Sequence, residues 1–306
     1  MPEDIRDKFR LDHEDILALN FIRTPGKYYY RRHYRTGLRS HIMEVLNPQD
    51  VKKEVEGVTF NGLRWFPRAR PLKMLRIFRT RFSGLKEAVE ELERVKLVTA
   101  FLLPHYVARS NEFLVDYRLK GTMELLLCGL QDYVEGEILD PWGPLDYDHL
   151  VSLLRRMGLV KAHGSDKETG QWVQRIRQRG EEFVRRLKKM ILKAGHVPDL
   201  AGVGNLLITR SGDIRLVDIN NISRVAFEPI VTLDDRGYPA CDKSIEALSL
   251  LERKLSGRPI DMAETLYRVY LDPGRRKEVM EAERRFHLTI EPGRSAYPMF
   301  QHDSRD

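Results

Sequence analysis

Cysteine is nearly absent. Cys128 and Cys241 are the only two in 306 residues, and neither has a CxxC partner. That excludes a disulfide framework and suits a reducing compartment, so the expected location is cytoplasmic. Long apolar runs are also missing. The strongest, at 97–103 and 125–130, fall far short of the ~20 residues a membrane span needs. The opening MPEDIRDKFR has no apolar signal segment, so no transmembrane or secretory element is expected. The 9 histidines form no HxxxH or HExxH pair, which leaves no case for zinc. Internal repeats and low-complexity tracts are lacking, which argues against solenoids and disordered arrays.

What is present is ordinary folded material. Apolar residues make up 42% and charged residues 32% of the chain, enough for a packed core. The length exceeds what one core needs and favours two lobes. Lys plus Arg number 52 against 45 Asp plus Glu, a net charge of +7, and the excess is clustered. Arg23, Lys27, Arg31, Arg32, Arg35 and Arg39 interleave with Tyr28, Tyr29, Tyr30 and Tyr34. A second cluster runs Arg64, Arg68, Arg70, Lys73, Arg76, Arg79, Arg81. Such stretches suit an anionic surface or partner. Nucleic acid is not the expected partner, because most charge runs are solvated faces.

Along the chain, residues 1–44 read as a basic, aromatic extension with one short helix within 12–21 and a break at Thr24-Pro25-Gly26. Residues 62–66 and 72–78 read as strands, with Pro67 and Pro71 at edges or turns. After Ser83, an available N-cap, the spacing of Leu85, Ala88, Val89, Leu92 and Val95 predicts a helix rich in early glutamates that ends before Pro104. Strands follow at 112–118 and 122–130, then a polar connector at 131–136. Helices are expected at 147–157, at 169–194 closed by Gly195, from Asp242 as N-cap to Leu255, and at 262–271 and 275–286. Between them, 206–209 and 214–217 read as a hairpin around an Arg-Ser-Gly-Asp turn.

That hairpin carries the chemistry. It returns the chain to its starting level, so Asn205 before its first strand and Asp218 after its second become neighbours, and the preceding loop can fold Asp199 over the same spot. An amide oxygen beside a carboxylate makes a hard-oxygen Mg²⁺ site, while a second carboxylate can accept a hydroxyl proton. Those are the parts of a phosphoryl-transfer apparatus.

In this order of residues the chain resembles the protein-kinase-like superfamily, and more closely its aminoglycoside-phosphotransferase and bacterial sugar or lipopolysaccharide-core kinase branches. The resemblance rests on Asp199, Leu200, Asn205, Leu206, Leu207 and Ile208, then Leu216, Val217 and Asp218, set against a family pattern HxDLxxxN followed by two strands and a metal-binding Asp. It spans about residues 57–255. It implies an α+β, bilobal fold: a small β-rich lobe with one main helix at 45–133, a larger mostly helical lobe at 134–290, a tail at 291–306, and nucleotide between the lobes. It further implies ATP and Mg²⁺ as cofactors, Asp199 as the base orienting the acceptor hydroxyl, and Asn205 and Asp218 as metal ligands. Tyr133-Val134-Glu135-Gly136 looks like the family's hinge, with the backbone around Asp132 and Val134 contacting adenine. Asp242 resembles the buried Asp of the helix that braces the catalytic loop.

The sequence departs from the family in several places. Two residues rather than one separate His196 from Asp199, and five rather than four separate Asp199 from Asn205. Asp218 is followed by Ile219, Asn220 and Asn221, and no GxGxxG precedes the cation expected to reach the phosphates. That cation is either Lys73 or Arg76, since strand alternation sends them to opposite faces. The spacing to the acidic helix favours Arg76, with Glu91, at the border of the buried stripe, as its ion-pair partner. The expected function is therefore a Mg-ATP-dependent kinase acting on a hydroxyl of an unidentified acceptor, sugar-like and anionic or a protein. The competing expectation is a pseudokinase-like binding or regulatory protein, suggested by the missing glycine-rich loop and the stretched catalytic loop.

Overall fold

A computed structural model describes residues 3–34, 39–119, 121–160 and 166–289. The tail at 291–306 and Arg35 of the first basic cluster lie outside these. The chain is α+β and divides into two compact units, residues 1–93 with 109–133, and residues 94–108 with 134–306.

Unit 1 begins with a short helix, α1 (His13–Leu17), capped by Asp12, which accepts from the Asp15 amide while Asp15 bonds back. Then come β1 (Tyr29–Arg32), β2 (Ser40–Leu46), α2 (Pro48–Glu56), a hairpin of β3 (Val58–Phe60) and β4 (Leu63–Trp65), β5 (Lys73–Phe78), α3 (Leu85–Leu102), of which residues 85–93 belong to this unit and 94–102 to unit 2, β6 (Ser110–Leu119) and β7 (Thr122–Asp132). Five strands form one antiparallel sheet in the order β1-β2-β5-β7-β6, and β3-β4 stands apart as a two-stranded sheet. On one face of the large sheet Met43, Val45, Leu75, Ile77, Leu126 and Cys128 pack with Ile5, Leu11, Ile16 and Leu19 of the N-terminal segment.

This corrects the reading of residues 1–44 as an extension. Its basic, aromatic surface residues dominate the composition, but four well-spaced apolar anchors and strand β1 build it into the sheet. A buried ion-pair set reinforces the attachment: the Arg6 guanidinium donates to Asp4 (2.8 Å) and to Glu124 of β7, and Arg81 reaches Asp4 at 3.0 Å. His41 of β2 is buried beside Arg79, and burial followed by that positive neighbour pushes its imidazole down to about 4.

Helix α3 forms where its spacing predicts, with Ser83 donating both its N–H and its Oγ–H to Glu87. Its buried stripe is Ala88, Val95, Val98 and Leu102, whereas Leu85 and Val89 are exposed. The first unit ends one residue after β7, which extends into the expected connector as far as Asp132.

Unit 2 contains β8 (Gly136–Ile138), α4 (Tyr147–Arg156), α5 (Asp166–Ala194), β9 (His196–Pro198), β10 (Leu206–Thr209), β11 (Ile214–Leu216), β12 (Ile222–Arg224), α6 (Ala240–Ser256), α7 (Thr265–Tyr270) and α8 (Pro273–Thr289). The expected hairpin is β10-β11, and β8 adds to it on the other side of β10. At Gly136 of β8 a Cβ would lie 2.4 Å from the Ile208 carbonyl oxygen, so only glycine lets the two strands close. Strands β9 and β12 pair separately, and the sequence pattern did not announce them because each has three residues. The core joins Phe183, Leu187 and Ile191 of α5, Ile245, Leu248 and Leu251 of α6, and Leu206, Ile208 and Leu216 of the hairpin. Among the described residues no helix is long and apolar enough to cross a membrane.

Candidate functional site

The candidate site in unit 2 is assembled around Asp199 by short-range strand pairing. Helix α5 stops at Gly195, whose φ of +63° closes the last turn with a bond to the Ile191 carbonyl. His196 then opens β9, its Nδ1 2.6 Å from the Ala194 carbonyl, a contact that needs the Nδ1–H tautomer. The histidine thus orients the turn and does not face the reacting groups. Pairing of Pro198 with Ile222 sets Asp199 beside Asn221. The Asp199 amide donates to the Asn221 carbonyl (2.8 Å), and the Asn221 Nδ2 donates to Asp199 Oδ2 (3.0 Å). Asp199 Oδ1 accepts from the amides of Ala201 (2.9 Å) and Gly202 (3.2 Å). Asp199 is buried, and its rotamer is fixed from both oxygens.

The turn that follows orients Asn205. Its amide donates to the Gly202 carbonyl (3.1 Å), its side-chain Nδ2 donates to the Asp199 carbonyl (3.0 Å), and its own carbonyl accepts from the Val217 amide (2.8 Å). A Cβ at Gly202 would lie 2.6 Å from Asn205 Nδ2, so glycine is what allows the amide to lie against the loop. With Nδ2 committed, Oδ1 accepts no hydrogen bond among the described residues. The Val217 bond places Asp218 one residue beyond the backbone of Asn205. Asp218 is half-buried and accepts a long bond from the Asn220 amide (3.4 Å). Asn220 is buried with neither side-chain polar atom bonded.

Neighbouring helices brace this loop. The Leu200 amide donates to Ser244 Oγ of α6 (3.3 Å), and the Trp142 indole N–H donates to the Ala201 carbonyl (3.0 Å). Trp142 is itself held: the Lys243 ammonium sits 4.3 Å from its ring centre, and Lys254 donates to the carbonyls of Pro141 (2.7 Å) and Gly143 (2.8 Å). Burial pushes the Lys254 amine below its ordinary range, with Arg253 adding to the shift. Asp242 does not cap α6, which starts at Ala240, and does not touch the loop. It is buried in an ion pair with Arg275 of α8 (2.5 Å), and Ser244, two residues on and near the opposite side of the helix, supplies the brace instead. Sequence reasoning missed Asn221, Ser244 and Trp142 because each acts through a fold-dependent neighbour. The Asn220-Asn221 pair, two residues beyond Asp218, is the hint the sequence offers.

Among the described residues no cluster of three His, Cys, Asp or Glu can hold a metal ion. The donor set of Asn205 and Asp218, one amide oxygen and one carboxylate, does fit Mg²⁺. That ion keeps several waters and takes one or two protein oxygens when phosphate oxygens complete its shell.

In unit 1, Lys73 and Arg76 occupy opposite faces of β5. Lys73 lies on the face packed by the N-terminal segment and forms an ion pair with Asp132, its partner across β7; both side chains are nearly half exposed. Arg76 is buried on the other face and donates to Gln131 Oε1 (2.7 Å). On that face it lies opposite Gly129, which in turn faces Glu112 of β6. Also there is Glu44, whose carboxyl burial alone would raise; bonds from His33 and Arg31 hold it below the ordinary carboxylate range. Glu91 is half-buried on α3. The Asp132 amide donates to the Arg109 carbonyl (2.8 Å), and Val134 opens the second unit.

A scan against protein-family models found none that matches this chain, and a search of curated protein sequences found no match.

Proposed function

We propose that this protein is a Mg-ATP-dependent phosphotransferase that moves the γ-phosphoryl group of ATP to a hydroxyl of its acceptor. The observation that carries the reading is the Asn205 amide: it is pinned through Nδ2 to the Asp199 carbonyl, leaves Oδ1 without a hydrogen bond among the described residues, and has its backbone brought against Val217, next to Asp218, by the hairpin pairing. The elements also suit a protein-kinase-like fold, because unit 1 inserts a single long helix between β5 and β6 of a five-stranded antiparallel sheet and unit 2 is largely helical.

In this reading Asn205 Oδ1 and the Asp218 carboxylate hold Mg²⁺. The ion, when bound, neutralises charge on the phosphates. Asp199 accepts the acceptor's hydroxyl proton as the new oxygen–phosphorus bond forms and the bond to the β-phosphate oxygen breaks, leaving ADP. Its fixed rotamer supplies positioning without reorganisation at the moment of transfer. We assign Arg76 to the nucleotide phosphates, with Glu91 as its expected acidic partner, and the backbone around Asp132 and Val134 to adenine. A basic protein suits an anionic acceptor.

One observation favours the second reading, a pseudokinase-like binding protein. Both candidate cations already have partners in the nucleotide-free chain, Lys73 with Asp132 and Arg76 with Gln131. The two readings separate experimentally. Under the first, ATP with Mg²⁺ raises the melting temperature by mass action and ATP with EDTA does so far less. Asp218→Ala removes the metal-dependent part, and Asp199→Asn keeps binding while lowering turnover by about 10²- to 10⁴-fold. A metal-independent shift of equal size, or turnover untouched by Asp199→Asn, rejects the assignment. Nucleotide binding without turnover in the wild type selects the pseudokinase.

A further inference from the structure

The β3-β4 hairpin stands apart from the large sheet of unit 1, and its sequence is not that of a solvated loop. Asn61 and Gly62 both take positive φ (49° and 76°), the two-residue turn that matches strand twist. The register pairs Val58 with Trp65, Thr59 with Arg64 and Phe60 with Leu63. Directly opposed residues share a face, so one face is Val58, Phe60, Leu63 and Trp65 and the other carries Thr59 and Arg64. The apolar face is uncovered among the described residues: Phe60 is 68% exposed, Leu63 74% and Trp65 60%, while Phe66, 54% exposed, lies with Arg64 toward the other face. These side chains expose on the order of 500 Å² of apolar surface, near the upper limit for a monomer's largest patch.

Charge surrounds this patch with one sign only. Between residues 57 and 72 there are three arginines, Arg64, Arg68 and Arg70, and no Asp or Glu. The acids of the preceding α2 are already matched: Asp50 by Lys53, Glu54 by Arg31 and Glu56 by Lys52. Arg64 lies over the Phe66 ring at 5.4 Å and donates to the Glu56 carbonyl, while Arg68 is exposed with no partner among the described residues.

We infer that the β3-β4 hairpin docks unit 1 onto an anionic phospholipid bilayer, with Phe60, Leu63 and Trp65 entering the interface and Arg64, Arg68 and Arg70 meeting the headgroups. Three features select this occupant. Three-residue strands reach about 10 Å, the depth to which interfacial elements insert. Phe60 and Leu63 flank the Asn61-Gly62 tip, and Trp65 sits at the open end where Arg68 and Arg70 follow, an apolar tip with an aromatic and cationic base that matches the layering of a membrane surface. The patch falls short of the ~800 Å² per partner that a stable protein interface needs. A single-stranded nucleic acid would call for cations among the stacking rings, whereas this apolar face contains aliphatic Val58 and Leu63 and no cation. The inference is independent of the phosphotransferase reading.

The test is co-sedimentation of the full chain with phosphatidylcholine vesicles, with and without about one-third phosphatidylglycerol. The wild type binds the anionic vesicles, roughly tenfold or more above the neutral ones, and loses binding as salt rises from about 50 to 500 mM. Phe60→Ser, Leu63→Ser and Trp65→Ser combined lower binding roughly tenfold with an unchanged melting temperature, since the hairpin is exposed. Arg68→Gln, which has no fold contact to lose, lowers it less and flattens the salt dependence. The Trp65 emission, taken as the difference from Trp65→Phe, moves to shorter wavelength on vesicles. No sedimentation, equal binding to neutral vesicles, or unchanged binding by both variants overturns the inference. So does a finding that the triple substitution abolishes a dimer seen by light scattering, or single-stranded RNA binding, in place of vesicle binding.

Discussion

The two units hold their polar groups in different ways. In unit 2 the candidate site is tied by main-chain bonds between residues close in sequence: Asp199 to Asn221, Asn205 to Val217, and the Ala201 and Gly202 amides to the Asp199 carboxylate. In unit 1 the comparable groups are held by side-chain bonds, most of them between residues far apart in sequence, as in Arg6 with Glu124, Arg31 with Glu54, Arg76 with Gln131, and Lys73 with Asp132. Main-chain scaffolding leaves geometry nearly independent of pH and salt, whereas ion pairs and buried titratable groups couple geometry to both. The charge network of unit 1 should therefore respond to solution conditions and the candidate site of unit 2 should not.

The largest expected effect is acid loosening of unit 1. His41 titrates near 4 in the fold against about 6.5 when unfolded. A depressed histidine contributes stability that is present above the unfolded pKa and lost as pH falls toward the folded one. By pH 5 the loss is about 2 kcal/mol, since each pKa unit is worth about 1.4 kcal/mol. Denaturant titrations of wild type and His41→Gln at pH 7.5 and 5 should show the wild type losing that much more than the variant. Equal losses would remove the contrast.

An intermediate effect concerns the main-chain scaffold of unit 2. Gly202→Ala puts a Cβ against the Asn205 amide, so the amide must leave the Asp199 carbonyl, at about 1 to 2 kcal/mol for the lost hydrogen bond. The metal-dependent part of the ATP-induced melting shift should shrink with it, and the deficit should be the same at low and high salt. A salt-dependent deficit would mean that charge also holds the site.

The remaining effects distinguish the two cations. Arg76→Ala should weaken ATP binding by roughly 1 to 3 kcal/mol, the scale of a charge-assisted contact, and Glu91→Ala by less. Lys73→Ala, which breaks a pair that is nearly half exposed, should change affinity by no more than about 0.5 kcal/mol. Calorimetry showing the reverse order would give the role to Lys73.

What was legible in the sequence followed from local periodicity and turn chemistry. The spacing after Ser83 announced α3, the run closed by Gly195 announced α5, and the Arg-Ser-Gly-Asp turn between two apolar triplets announced β10-β11 with Asn205 and Asp218 at its ends. These elements depend on contacts within a few residues, so composition and spacing specify them. The N-terminal 44 residues do not read as part of a sheet because β1 becomes a strand only through pairing with β2, and β2 through pairing with the later β5. The short β9 and β12 likewise exist only through each other. Tertiary structure alone decided that Ser244 and not Asp242 braces the loop, that Trp142 supports it from above α4, and that Asn221 locks Asp199. It also decided that Gln131 bonds Arg76. In each case the partner lies a fold apart or on a neighbouring strand, and which side chain arrives is set by helix phase and strand register, quantities that appear only once the core has packed.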